Sequence, residues 1–89
     1  MQRKHVYFAG RVQGVGFRYT TRNIAENYEM VGFVRNMPDG RVEVVIEGEE
    51  TQLTAFLDEL NRQMSRYITE ISLQDEPCQD EFNGFEIRF

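Results

Sequence analysis

Met37-Pro38-Asp39-Gly40 constrains this chain more than any other stretch. It separates two apolar runs, Met30 to Asn36 and Arg41 to Glu47, both short and β-branched, which read as strands. Asp-Gly at such a junction signals a hairpin, because glycine takes positive φ at no steric cost and aspartate bonds to nearby backbone. The second run alternates: Val42, Val44 and Ile46 fall on one face, and Arg41, Glu43 and Glu47 on the other. Val45 is the exception on the polar face. The alternation predicts a half-buried strand whose Glu43 and Glu47 are solvated. Whatever precedes and follows must fit around this pair.

On each side lies a strand and a helix. Val6-Tyr7-Phe8-Ala9 reads as the first strand. From Arg18 to Tyr28, Thr21, Ile24, Ala25 and Tyr28 recur at helical spacing. A second helix opens near Gly48-Glu49-Glu50-Thr51, with acids at its positive end, and carries the stripe Leu53, Phe56, Leu57, Leu60 and Met64. Ile68 to Gln74 reads as a fourth strand with Ile71 and Leu73 inward. Pro77 to Gly84 is a polar, acidic loop, and Phe85 to Phe89 alternates as a short terminal strand.

The order β-α-β-β-α-β plus that terminal strand predicts an α+β fold. It suits the ferredoxin-like split β-α-β sandwich, with two helices on one face of a mainly antiparallel sheet. There, strands one and two run parallel with strand three between them. The loop after strand one therefore approaches the end of strand two, and Arg18 and Asn36 should lie near each other. With 89 residues, residues 1–89 are expected to form a single domain. A chain this size buries roughly 60–65% of its unfolded surface, so its core is modest.

Charge and cysteine content narrow the function classes. The net charge of −5 disfavours nucleic acid as a partner, since a phosphate backbone needs a basic face. One small phosphate needs only a local positive pocket. The lone Cys78 forms no internal disulfide and no metal cluster. No apolar run suits a signal peptide or a membrane span. The expectation is a cytoplasmic monomer without a membrane or nucleic-acid partner.

Gly10 to Arg18 holds the first candidate site. Gly10, Gly14 and Gly16 let several backbone N–H groups of Gln13, Gly14, Val15, Gly16 and Phe17 converge as an anion-binding nest. The nest runs into a helix start, whose free N–H groups and dipole add to the attraction. Arg18 brings a fork of donors suited to phosphate oxygens. A tight strand–helix connection with a surface arginine would carry the same glycines. No Lys-Ser/Thr follows, so this is no nucleotide P-loop, and the loop has no Cys or Asp to accept phosphate covalently. Asn36 reads either as a turn residue or as an amide that orients water in line with phosphorus. Asp39 reads as a turn former rather than a base, and His5 as a strand residue on the solvent face that could be a general base only if it turned toward the loop.

Together these segments resemble the acylphosphatase family. Its pattern G-x-V-Q-G-V-x-F-R stands here as Gly10-Arg11-Val12-Gln13-Gly14-Val15-Gly16-Phe17-Arg18. Its second pattern stands as Gly32-Phe33-Val34-Arg35-Asn36, followed by Gly40-Arg41-Val42. The resemblance covers the whole chain. It implies hydrolysis of small acyl phosphates to carboxylate and inorganic phosphate, with no cofactor and no metal. It implies that Arg18 binds phosphate, that Asn36 positions water, and that Thr21 supports the site. An anion-sensing module without turnover, and an RNA-binding sheet using Tyr7, are the competing expectations.

Overall fold

A computed structural model describes all residues, Met1–Phe89. Seven elements follow one another: β1 (Gln2–Gly10), α1 (Phe17–Ala25), β2 (Met30–Asn36), β3 (Val42–Gly48), α2 (Glu50–Met64), β4 (Ile68–Glu76) and β5 (Phe85–Arg88). The strands form one sheet in the order β4-β1-β3-β2-β5. Central β3 pairs antiparallel with β1 and β2, β4 pairs antiparallel with β1, and β5 lies parallel to β2. This is the expected ferredoxin-like α+β arrangement, extended at one edge by β5.

The core lies between the sheet and the helices. Val6, Phe8, Val34, Val42, Val44 and Ile46 of the sheet pack with Ile24 of α1 and with Leu53, Phe56 and Leu60 of α2. Burying each such side chain contributes about 1.5–3 kcal/mol, which makes this layer the main source of stability. α1 ends at Ala25, before the expected Tyr28. Tyr28 leaves the helix but still packs on the core and donates its hydroxyl to Glu59 Oε1 at 2.7 Å, tying α1 to α2.

Two expectations about faces fail, each for a physical reason. β3 is buried along its whole length, including Glu43 and Glu47. These carboxylates face away from the helices but are covered by charged partners and by the segment after β4. Arg35 and His5 reach Glu43, and Arg3 reaches Glu47 at 3.2 Å. The backbone N–H groups of Gln79 and Asp80 also donate to Glu47, at 2.8 and 3.1 Å. Residues 77–84 thus cross the helix-free face from one sheet edge to the other, and Phe82 packs on Phe33 at 5.8 Å. Val45, on this same face, is buried for the same reason. Finally, Ile71 and Leu73 share the face of Phe8 and Val6 but are 41% and 48% exposed. They sit on the outermost strand, where helix cover runs out.

Candidate active site

The sheet register brings the two halves of the site together. Phe8 of β1 and Asn36 of β2 both pair with Val42 of β3. Their strands therefore end on either side of one residue, as the predicted topology required. Beyond β1 the chain turns through residues 11–16 into α1. Arg11 N–H bonds to Tyr67 O at 2.9 Å and fixes the start of this loop. Gly14 and Gly16 have φ of +78° and +79°, and a Cβ at either would meet nothing within 4 Å. Other residues would pay roughly 1–2 kcal/mol for this left-handed backbone. The space in front of both glycines is open.

Gln13 supplies a connection that sequence reasoning missed. Its side-chain amide donates to Met37 O at 2.8 Å and to Arg41 O at 2.9 Å. It therefore clamps the loop to the β2–β3 turn, one residue beyond Asn36. Only the Gln13 backbone is left to serve an anion. In the same way Phe17 spends its side chain on the core, 5.1 Å from Phe8, while Val15 packs partly against it. Thr21 is fully buried and donates to Phe17 O at 2.7 Å, so it supports the first turn of α1 without lining the cleft.

A cleft of about 100 Å³ lies between loop and strand, lined by Val12, Gly14, Gly16, Phe17, Arg18, Tyr19 and Asn36. Val12 and Tyr19 were not anticipated; Val12 forms the buried floor and Tyr19 the rim. Such a volume is several times below the roughly 300–1,000 Å³ of drug-sized sites and suits one small anionic group. Three features of the cleft favour an anion. The N-cap of α1 is Gly16, which offers no side-chain cap, and its first turn carries no acid. The first-turn N–H groups, including those of Phe17 and Arg18, precede the intrahelical ladder that Thr20 begins on Gly16 O. Arg18 forms no ion pair, although four strands of the sheet are laced with them. It makes only a long contact to Arg88 O at 3.5 Å and lies over the Phe89 ring at 4.7 Å. One guanidinium N–H is thus weakly engaged and the other donors have no partner.

Asn36 adds the remaining feature. Its Oδ1 is buried and has no hydrogen-bond partner. A buried unpaired acceptor costs about 1–3 kcal/mol, a cost that a hydrogen bond from a bound ligand or water would remove.

The other titratable candidates are occupied elsewhere. His5 lies on the opposite sheet face, with its ring nitrogens 2.6 Å from Glu43 and 3.0 Å from Glu76. Burial opposes ionisation of Glu43, but Arg35 and His5 outweigh it and hold the carboxyl below its ordinary range. Asp39 accepts from Arg41 N–H at 3.1 Å and from its guanidinium at 2.9 Å. That backbone bond and the Arg41 charge hold Asp39 below its usual range as well. It is a turn former, as its sequence position suggests. No group of three or more His, Cys, Asp and Glu stands close enough to hold a metal ion. No helix is long and apolar enough to cross a membrane.

Known proteins share the sequence pattern and the fold. The sequence pattern described as Acylphosphatase matches residues 4–87. The chain belongs to the acylphosphatase family. An acylphosphatase of Syntrophus aciditrophicus is 41% identical over 90 residues, covering 100% of this chain and 94% of the relative. One of Pseudomonas aeruginosa is 45% identical over 85 residues, covering 94% and 92%. The crystal structure of acylphosphatase from Bacillus subtilis superposes with a TM-score of 0.89 at 32% identity, covering 100% of both chains. The family reaction is hydrolysis of an acyl phosphate to a carboxylate and inorganic phosphate. An acyl phosphate is a mixed anhydride whose leaving carboxylate is already stable at neutral pH. Acylphosphatase chemistry therefore needs no strong general acid, and the cleft offers neither a carboxyl nor an imidazole.

Proposed function

We propose that this chain hydrolyses small acyl phosphates by direct attack of water on phosphorus. Arg18 and the loop N–H groups of Gln13, Gly14, Val15, Gly16, Phe17 and Arg18 hold the phosphate. Asn36 holds the water. Thr21 keeps the first turn of α1 in shape. One observation carries this reading: the unpartnered, buried Asn36 Oδ1 shares a cleft with an arginine that has no ion pair and with uncapped helix N–H groups.

Phosphoryl transfer depends mainly on positioning and on stabilising charge on the equatorial oxygens. The Arg18 guanidinium and the loop N–H groups supply the second. Asn36 supplies the first, by accepting a hydrogen bond from water and holding it in line. An amide does not take a proton in the working pH range, so a phosphate oxygen of the substrate accepts the proton of the attacking water.

Turnover of acetyl phosphate in ¹⁸O-enriched water tests the site of attack. One ¹⁸O is expected in inorganic phosphate and none in acetate. Label in acetate means attack at the carbonyl carbon and overturns the proposal.

A further inference from the structure

We infer that Tyr19 reads the acyl part of the substrate, so that a flat or apolar acyl group is preferred over a small one. This rests on the phosphate site proposed above and extends it to the rest of the molecule. The cleft has room for little beyond the phosphate, so the acyl group must lie at its rim. Tyr19 is on that rim, in the first turn of α1, immediately after Arg18. Its side chain is among the few large apolar ones left exposed, at 51%. Ile71 and Leu73, also exposed, sit on strand β4 and line no part of this cleft.

Tyr19 is also held in place. The Arg22 guanidinium, three residues on, lies 5.4 Å from the ring centroid. This spacing puts both side chains on one helix surface, and the cation occupies one face of the ring. A ring braced on one face loses little further freedom when a ligand packs on it. Arg22 itself forms no ion pair that would draw it away. An aromatic acyl group packed on the ring gains the contact of an aromatic pair, worth about a two- to tenfold change in affinity. An acetyl group is too small to cover the ring. The contact is remote from the reacting phosphorus, so it acts through KM more than through kcat.

The experiment compares kcat/KM for benzoyl phosphate and acetyl phosphate in wild type, Tyr19→Ala, Tyr19→Phe and Arg18→Ala. The benzoyl-to-acetyl ratio is expected to fall about two- to tenfold in Tyr19→Ala, through KM, and to stay at the wild-type value in Tyr19→Phe. A ratio unchanged in Tyr19→Ala, or lowered equally in Tyr19→Phe, overturns the inference. Arg18→Ala separates this from the phosphate site: it lowers both substrates together if that site is right. If it leaves both intact, the phosphate site is wrong, whatever the ratio does.

Discussion

Gln13→Ala removes the only side-chain clamp between the phosphate loop and the turn that follows Asn36. The clamp is two hydrogen bonds, to Met37 O and Arg41 O. Each carbonyl keeps a second partner, since Gly40 N–H donates to Met37 O and Met37 N–H donates to Arg41 O. Neither is orphaned, so the loss sits at the low end for a hydrogen bond, about 0.5–1 kcal/mol each. The sum is about 1–2 kcal/mol, or a fall in Tm of about 4–16 °C for a domain of this size. Activity should suffer more than stability. Arg18 stays on α1 and Asn36 stays on β2, but the side-chain tie between loop and turn that sets their fine separation is lost, and a displacement near 1 Å costs on the order of 100-fold. We expect kcat for acetyl phosphate to fall at least about tenfold, with phosphate inhibition little changed because the N–H nest and Arg18 remain. Gln13→Glu, of the same shape, should be worse on both counts: it sets lone pairs against two carbonyls and a negative charge beside the phosphate. The assays are steady-state hydrolysis, phosphate inhibition and thermal unfolding. Wild-type kcat in Gln13→Ala refutes the clamp. Phosphate affinity lost in step with kcat shows that the Gln13 side chain serves the anion directly.

Phe89→Ala should weaken phosphate binding about two- to fivefold, because an exposed cation–π contact that orients the Arg18 fork is worth about 0.5–1 kcal/mol; tighter binding by calorimetry would mean that the ring competes with the ligand. Glu47→Ala leaves the N–H groups of Gln79 and Asp80 unpaired and removes one of the three carboxylates on Arg3, which keeps Glu76 and Glu81, so it should cost about 1–3 kcal/mol in urea unfolding at pH 7; a loss under about 0.5 kcal/mol refutes the anchoring role. Burial pushes the Glu47 carboxyl upward, but Gln79 N–H, the Cys78 thiol and Arg3 together hold it below its ordinary range. A depressed folded value means stability that is present above the unfolded value of about 4.3 and is lost as pH falls through the folded one. Unfolding free energy should therefore fall in acid in the wild type and fall less steeply in Glu47→Gln.

The features legible in the sequence were those set by local chemistry. Glycines at 14 and 16, a strand before them and a helix after them are enough to indicate a tight, positive-φ connection into α1. The Asp39-Gly40 hairpin is enough to put Asn36 beside it. What stayed hidden depends on partners distant in the chain. Glu43 and Glu47 carry the alternation of a solvated face, yet Arg3, His5, Arg35 and residues 77–84 come from three other segments to bury them. β1 begins at Gln2 because its polar residues Arg3, Lys4 and His5 have those partners, which no local pattern reveals. Ile71 and Leu73 look like core residues because alternation does not say which strand is at the edge. Gln13 sits in a motif that reads as anion-binding, and only the folded hairpin shows where its amide goes. Tyr19 escaped notice because one aromatic residue after an arginine carries no periodicity of its own.

The central claim divides the work: Arg18 holds phosphate and Asn36 holds water. Measuring kcat and the inhibition constant for inorganic phosphate in Arg18→Ala and Asn36→Ala tests that division directly. The account predicts that both variants lose most turnover, that Arg18→Ala also loses phosphate affinity, and that Asn36→Ala keeps it. Asn36→Ala with near wild-type kcat, or with phosphate affinity lost as severely as in Arg18→Ala, would contradict it.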